Sequence, residues 1–263
     1  ELGVRAVLTS EITKQNDSLI IHVELIDTER NAHLWGEQYN RKLADILALQ
    51  DDISRDISSK LRLKLTSVEQ QLVKRSTNNA EAYQYYLKGR YFWNKRTEEG
   101  VRKAIDYLQQ SIASDPLYAL AYAGLADCYI VLGAPLNALP PKEAFSKAKA
   151  AATKALEIDD TLAEAHASLG YCLANYDWNW IAAKREFNRA LELKPDYAVA
   201  HHWYAFIFLA AFGRLDEAIA EMQSSLSLDP LSLPVGSNIG LVLYLARRNE
   251  EALVHFKRNL ELD

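Results

Sequence analysis

Few residues in this sequence are combined in ways that could perform acid–base or metal chemistry. Of the six histidines, only His201 and His202 are adjacent, and a helix would point them to different faces, so they could not chelate one metal ion together. Neighbouring carboxylates such as Asp159 and Asp160 suit helix capping and solvation better than proton transfer. No HExxH, Walker, GxSxG or CxxC motif occurs. The sequence therefore predicts no catalytic site, no metal ion and no other cofactor.

The two cysteines, Cys128 and Cys172, are too few for a disulfide framework or a zinc site. Each follows a small residue, Ala126 or Gly170, by two positions, so both fall at the same place in a recurring pattern. Packing of a small apolar side chain in a core is the favoured interpretation, ahead of redox chemistry.

Composition and charge indicate a globular protein. The chain has 263 residues, of which 49% are hydrophobic and 25% charged. A formal net charge of −5 argues against nucleic acid as a partner, and no apolar run approaches the roughly 20 residues that span a bilayer. The first residue is Glu rather than Met, which favours a piece of a longer chain. Low cysteine usage favours the cytoplasm, and the periplasm stays open as the alternative.

The stretch Ala163–Pro195 has the pattern of two short helices packed against each other. Gly170 in the first helix has no Cβ, so the second helix can approach closely there. Ala183 and Phe187 stand one turn apart on the face of the second helix that would meet the first. Pro195 ends the second helix, because proline cannot continue it.

The same pattern recurs along the chain with a nearly constant period. Successive copies close at Pro116, Asp160, Pro195 and Pro230, which are separated by 44, 35 and 35 residues. The extra length of the second copy falls in a loop between its two helices, from Gly133 to Pro141. Five copies result, at about residues 79–116, 117–160, 161–195, 196–230 and 231–263.

This spacing resembles the tetratricopeptide-repeat (TPR) family, whose units follow the pattern W-x2-L-G-x2-Y…A-x3-F…P. The resemblance implies a mainly α fold: a right-handed α-solenoid of five helix pairs, in which the first helix of each pair forms a concave surface. It also implies a non-catalytic role in binding a protein or peptide on that surface.

The first 65 residues do not follow the repeat. Apolar and β-branched segments at 4–12 and 19–26 flank a polar turn at 15–18, which predicts an antiparallel β-hairpin. A third strand is predicted at Ala32–Tyr39, and apolar residues three or four apart predict an amphipathic helix from about Leu43 into the 60s. The segment is therefore expected to be a small α/β unit.

Within this segment, the runs His33-Leu34-Trp35…Tyr39 and Ala48–Asp51 resemble the C-terminal half of a TolB amino-terminal-like domain. The variant is the one found before TPR repeats in cyclase-, winged-helix- and kinase-linked bacterial regulators. The resemblance implies a partial domain at 1–66, a polar linker at 67–78 and the solenoid at 79–263. Half a domain would expose apolar sheet surface and a strand edge. We therefore expect it to pair with a second copy, to pack on the repeats or to be poorly ordered.

Fixed positions of each first helix line the concave surface in the resembled family. In this chain, those positions give a set of candidate partner-binding residues rich in the Trp, Tyr and Arg that anchor protein interfaces. The set is Tyr83, Tyr86, Arg90, Trp93, Asp127, Tyr171, Asn175, His202, Trp203, Phe206, Asn238, Leu241 and Tyr244. The basic clamp that grips terminal carboxylates in some members is absent, so a C-terminal carboxylate ligand is not expected. Internal packing or self-association is the alternative interpretation of these residues.

Two functions stay open at this point. The first is a protein–protein interaction scaffold that forms the C-terminal sensory or regulatory region of a bacterial multidomain signalling protein. The second is an oligomerisation module that pairs copies of an upstream output domain through the N-terminal segment. An α-helical hydrolase is less favoured, because it would need convergent carboxylates, such as Asp127 and Glu164, in a groove that is mostly apolar.

Overall fold

The computed structural model describes residues 6–15, 18–27, 32–42 and 77–262. The chain divides into two compact units, Glu1–Gln84 and Tyr85–Asp263. The predicted linker at 67–78 lies mostly outside the described residues, and the predicted domain boundaries stay predictions. No helix in the described part of the chain is long and apolar enough to cross a membrane.

The first unit holds an antiparallel sheet of three strands in the order β1–β2–β3. The strands are β1 (Ala6–Gln15), β2 (Ser18–Asp27) and β3 (Ala32–Lys42). Gln15 pairs with Ser18 across the first turn, and Asp27 pairs with Ala32 across the second. The predicted hairpin and third strand are confirmed. The predicted helix from about Leu43 into the 60s lies outside the described residues.

Burial of the sheet is concentrated on one face of β2 and β3. Leu19, Ile21 and Val23 alternate along β2 and therefore share a face, and Tyr39 of β3 lies opposite Ile21. Leu19, Val23 and Tyr39 are buried. Ile12, which pairs with Ile21 from β1, is exposed, so the burial of this face falls off toward β1.

From residue 80 onward, the described residues form five consecutive helix pairs. The first helices of the pairs are α1 (Ala80–Asn94), α3 (Ala119–Gly133), α5 (Ala163–Asn175), α7 (Ala198–Trp203, continued to Phe212) and α9 (Leu233–Leu245). The second helices are α2 (Glu98–Ser114), α4 (Pro141–Ile158), α6 (Trp180–Leu193), α8 (Leu215–Leu228) and α10 (Asn249–Leu262). The predicted mainly α architecture, a solenoid of five helix pairs with a small N-terminal sheet, is confirmed.

Side-chain caps define where several of these helices begin. The Asn79 carboxamide oxygen accepts from the backbone N–H groups of Glu81 and Ala82 at 3.0 and 3.1 Å. The Thr97 hydroxyl and the Asn179 carboxamide cap α2 and α6 in the same way. These contacts satisfy N–H groups that have no partner inside the helix, which stabilises each start by about 1 kcal/mol.

Each helix pair turns through one residue with left-handed backbone. These residues are Arg96, Asn137, Trp178, Gly213 and Arg247, with φ between 49° and 68°. Glycine adopts this conformation without cost, whereas the other residue types are strained there. The repetition shows that the tight reversal between paired helices demands this geometry even where the sequence supplies no glycine.

The fourth pair departs from the regular pattern that the sequence predicts. Its first helix is α-helical over Ala198–Trp203, π-helical over Tyr204–Leu209 and ends in a 3₁₀ turn over Ala210–Phe212. Aromatic side chains along this run pack in more than one direction: Trp203 contacts Tyr171, and Tyr204 contacts Phe187. The π-helical segment, whose turns are wider than those of an α-helix, coincides with this packing on two sides. Short π-helical segments are often found at functional sites.

Small residues allow the helices of a pair to approach, as the pattern at Gly170 predicts. A Cβ built on Gly170 would lie 3.2 Å from the ring of Phe187, which is fully buried in α6. On α3, a Cβ at Gly133 would lie 2.5 Å from the Cβ of Ala144. At Gly170 the large Phe187 side chain fills the space that the glycine leaves, whereas at Gly133 two small residues let the helices approach closely.

Gly170→Leu tests this packing. We expect the free energy of unfolding to fall by about 1–3 kcal/mol, because the new side chain must displace the Phe187 ring from a filled core. Urea unfolding followed by circular dichroism measures the change. An unchanged midpoint would mean that Gly170 does not lie at the α5–α6 crossing.

Candidate binding groove

Two adjoining cavities lie on the face formed by the first helices. The larger, of about 650 Å³, is bounded by the end of α1 and by the starts of α7 and α9. The smaller, of about 260 Å³, lies beside it between α3, α5, α7 and α9. Arg96, His202 and Pro234 line both cavities, so the two adjoin along these residues and together make one trough. We call this trough the groove.

A buried ion pair holds the first three helix pairs together beside the groove. Arg90 Nη1 on α1 donates to Asp127 Oδ2 on α3 at 2.8 Å, and Ser168 Oγ on α5 donates to Asp127 Oδ1 at 2.7 Å. Burial raises the pKa of Asp127, and Arg90 and Ser168 act against that rise. Burial also opposes the charge of Arg90, but Tyr86 and Asp127 outweigh it and the net effect raises the Arg90 pKa. The network fixes the positions of α1, α3 and α5 relative to one another.

The carboxylates that a hydrolase would need are both engaged in ion pairs. Asp127 is bound to Arg90, and Glu164 Oε1 accepts from Lys194 Nζ at 2.8 Å. Neither carboxylate lines the two cavities of the groove. The geometry therefore gives no support to acid–base chemistry by this pair.

Trp93 carries two guanidinium groups against its indole ring. The Cζ atoms of Arg96 and Arg90 lie 3.5 and 4.1 Å from the ring centroid, which is typical cation–π contact. Burial, with the charge of Arg90 second, lowers the pKa of Arg96 to about 10, so Arg96 stays charged at neutral pH. Arg90 is paired with Asp127. Within the described part of the chain, the Arg96 guanidinium has no salt bridge and no side-chain hydrogen bond.

His202 contributes a neutral imidazole to the groove. It is buried, and this burial lowers its pKa to about 3. The Asn238 carboxamide, through Nδ2, lies 2.8 Å from His202 Nε2. Because the ring is neutral, Nε2 acts as the acceptor and the proton is assigned to Nδ1. The hydrogen bond joins α7 to α9 across the floor of the groove.

The smaller cavity supplies the apolar part of the groove. Phe206 and Ile207 from the π-helical run line it together with Ile130 and Val131 from α3. Pro135 in the long loop between α3 and α4 also lines this cavity, so the insertion seen in the second repeat forms part of the groove wall. This compartment suits an apolar side chain of a ligand.

The structure brings together many, but not all, of the residues predicted to bind a partner. Those that line the groove are Arg90, Trp93, Tyr171, His202, Trp203, Phe206 and Asn238. Tyr86 packs edge-on against Tyr118, and Asp127 is buried in its ion pair. Asn175, Leu241 and Tyr244 are exposed on α5 and α9 but line neither cavity. Tyr83 lies in the part of α1 that belongs to the first compact unit.

Sequence reasoning missed groove residues that lie outside the predicted first-helix positions. Arg96 follows the end of α1, Pro135 lies in an inter-helix loop, and Ile207 occupies a π-helical turn that shifts the helical phase. The unusual length of the second repeat was the one signal that pointed to a loop of special interest. Nothing in the residue pattern marks Arg96 as a groove residue.

Both cysteines are buried on first helices, Cys128 on α3 and Cys172 on α5. Burial raises the pKa of each thiol, which keeps both protonated and unreactive at neutral pH. In the residues that the structure describes, no group of three His, Cys, Asp or Glu side chains is placed to hold a metal ion.

Two histidines at equivalent positions of the third and fourth repeats make the same pair of contacts. His166 Nδ1 lies 2.6 Å from Glu186 Oε2 and its Nε2 lies 3.0 Å from the Asp160 carbonyl oxygen. His201 contacts Glu221 and the Pro195 carbonyl in the same way, at 2.6 and 2.8 Å. Since both ring nitrogens face acceptors, these contacts favour the protonated imidazole. The pKa values of both histidines are raised: for His166 burial acts against the rise but the Glu186 hydrogen bond helps to outweigh it, and for His201 the Glu221 hydrogen bond is the main cause.

These pairs predict a pH-dependent stability. Because the pKa of each histidine is higher in the folded state, the bound protons stabilise the fold fully below the unfolded-state pKa of about 6.5. This stabilisation is lost as the pH rises through the folded-state pKa values. We therefore expect the melting temperature to fall, as the pH rises above about 6.5, more steeply than in the double variant His166→Gln, His201→Gln. Thermal unfolding at several pH values measures both profiles. Parallel profiles would show that the two histidines do not bind protons more tightly in the folded state.

The fold defines the class of protein. A thermophilic TPR protein of Thermus thermophilus matches with a TM-score of 0.51 at 20% identity, over 77% of this chain and 97% of that one. With five helix pairs of the predicted spacing, the chain folds as a tetratricopeptide-type α-solenoid.

Two curated proteins are similar to parts of this chain. A protein of Rhizobium meliloti (strain 1021) with the provisional name adenylate cyclase 3 is 34% identical over 127 residues, which are 48% of this chain and 22% of that protein. Protein O-mannosyl-transferase TMTC3 of Homo sapiens is 26% identical over 171 residues, 64% of this chain and 18% of that protein. The chain thus spans about a fifth of the length of these curated relatives. No family model matches it.

Proposed function

We propose that this chain is a non-catalytic protein-interaction module whose groove binds a segment of a protein or peptide. The observation that supports this best is the groove itself, in which apolar and aromatic walls surround a few placed polar groups. Cavities of a few hundred Å³ with this composition are typical of binding sites. Trp, Tyr and Arg, all present in the lining, are frequent anchors of protein interfaces.

The proposal extends to a regulatory role in a bacterial multidomain signalling protein. Its supports are the TolB-like resemblance of the first 66 residues and the similarity to the Rhizobium meliloti protein named adenylate cyclase 3. Cytoplasmic placement and the absence of nucleic-acid binding stay predictions from composition. Pairing of copies through the N-terminal segment stays the alternative function.

Affinity capture from lysate of the source organism tests the proposal. The baits are the full chain, its Phe206→Ser variant and its Phe212→Ser variant. Phe206 lines the groove, whereas Phe212 is 53% exposed at the end of the same helical run and lines neither cavity. We expect a protein that the unchanged chain and Phe212→Ser retain and that Phe206→Ser loses.

Two outcomes would contradict the proposal. Equal retention by both variants would place the binding surface outside the groove. Recovery of nothing except further copies of the chain would favour oligomerisation instead. Light scattering over a range of concentrations then separates the alternatives, because a strict monomer excludes an oligomerisation role.

A further inference from the structure

Arg96 is a cation of the groove that has no carboxylate partner among the described residues. Its half-buried guanidinium lies against Trp93, and the neighbouring cation Arg90 is already paired with Asp127. None of the described carboxylates lies within 4 Å of Arg96, although Asp229 also lines the larger cavity. The buried indole N–H of Trp93 has no acceptor in the described part of the chain either. A partly desolvated cation without a counter-ion favours the arrival of an anionic group.

The strained backbone of Arg96 is not a sign of function by itself. Every inter-helix turn of the solenoid has one left-handed residue, and Arg247 is the same residue type in the fifth turn, with φ 61°. Arg247 is exposed and lines neither cavity. Location in the groove, rather than turn geometry, therefore distinguishes Arg96.

The position of Arg96 along the groove indicates what kind of anion fits. Arg96 lines both cavities, so a ligand chain that reaches it has room to continue on either side. On one side lies the apolar compartment formed by Phe206, Ile207 and Ile130. A ligand that bound Arg96 through its chain terminus would occupy the trough on one side only. A ligand that bound Arg96 through an internal side chain could extend its backbone along both sides.

We propose that the groove binds an extended peptide segment of a partner protein, with an internal Asp or Glu side chain on the Arg96 guanidinium and an apolar side chain in the Phe206 compartment. This inference rests on the proposed protein-binding function and names the chemistry of its ligand. The planar guanidinium of arginine pairs with a carboxylate through two parallel hydrogen bonds, which gives orientation as well as affinity. Arg90 and Lys95 also line the larger cavity, so Arg96 belongs to a local group of cations in a chain whose net charge is −5.

Selection from a random linear dodecapeptide library tests the proposal with the full chain. We expect the selected sequences to be enriched in Asp or Glu next to a large apolar residue. The most frequent sequence is then synthesised with acetylated and amidated ends, in one version with the acidic residue and one with its amide. Fluorescence polarisation measures the Kd of each version for the unchanged chain and for Arg96→Gln, Arg247→Gln and Phe206→Ser.

The expected result is specific to one position. Arg96→Gln should weaken binding of the acidic peptide at least about tenfold, while Arg247→Gln leaves it unchanged. Replacing the acidic residue by its amide should weaken binding to the unchanged chain and have little effect in Arg96→Gln, because the two changes remove the same contact. Phe206→Ser should weaken both peptides.

The outcomes that overturn the inference differ from those that overturn the proposed function. Peptides that depend on Phe206 but show no acidic enrichment and no response to Arg96→Gln would refute the acidic contact and leave groove binding intact. In another outcome, a peptide binds Arg96 through a free terminal carboxylate and not through an internal acid. That result would refute the internal segment as the ligand and favour a chain end instead. Selection of no peptide that responds to Phe206→Ser would contradict both proposals.

Discussion

Asp127→Ala is expected to lower the free energy of unfolding by about 3 kcal/mol. The variant leaves the Arg90 guanidinium without its counter-ion and removes one of the two acceptors of the Ser168 hydroxyl, the other being the Glu164 carbonyl oxygen. Breaking a buried ion pair typically costs about 3–5 kcal/mol, because the remaining charge is left in a poorly solvated site. The lower end of that range applies, since the Arg90 side chain remains 24% exposed. Urea unfolding of the full chain measures the difference.

Two controls separate this pair from ordinary surface charge. Asp216→Ala removes a carboxylate that is 95% exposed and 3.9 Å from Arg248, and we expect a change below about 0.5 kcal/mol. The double variant Arg90→Met, Asp127→Leu should recover much of the loss, because neither charge is then buried alone. Equal losses for Asp127→Ala and Asp216→Ala would contradict the structural role of the buried pair.

Phe187→Ala is expected to destabilise the solenoid by about 3–5 kcal/mol, the usual cost of deleting a buried aromatic ring. Phe187 is fully buried, fills the space left by Gly170 on α5 and contacts Tyr204 on α7 with ring centroids 5.7 Å apart. Its removal therefore opens a cavity between the third and fourth helix pairs. The measurement is the urea midpoint with its slope, compared with that of the unchanged chain.

Phe212→Ala is the matched control for this deletion. Phe212 is 53% exposed, so we expect a much smaller loss than at Phe187. In addition, Gly170→Leu should be less harmful in the Phe187→Ala background than alone, because the new side chain enters the vacated space. Additive losses for the two changes would show that Gly170 and Phe187 do not share one packing site.

The solenoid could be predicted from the sequence because the interactions that define it repeat. Gly170 and Phe187 meet within a single helix pair, and the same kind of contact returns about every 35 residues. The hairpin could be predicted because alternation along β2 and a polar turn are also local features. Even the irregular loop after Gly133 could be placed, since the extra length interrupts an otherwise constant period.

The site could be predicted only in part, because the groove depends on contacts between distant repeats. Helical phase placed His202 and Phe206 on the inner face, and the structure finds both in the groove. Helical phase could not show that Asp127 would form an ion pair with Arg90, a residue 37 positions earlier. It also could not place Arg96 or Ile207, since one lies beyond a helix end and the other in a π-helical turn.

Photo-crosslinking tests groove binding most directly. The photoreactive amino acid p-benzoylphenylalanine replaces Phe206 in one version of the full chain and Phe212 in another, which conserves an aromatic side chain at both positions. After irradiation in lysate of the source organism, the account predicts a crosslinked partner from position 206 and none from position 212. A partner crosslinked from position 212 and not from position 206 would contradict the assignment of the groove as the binding surface.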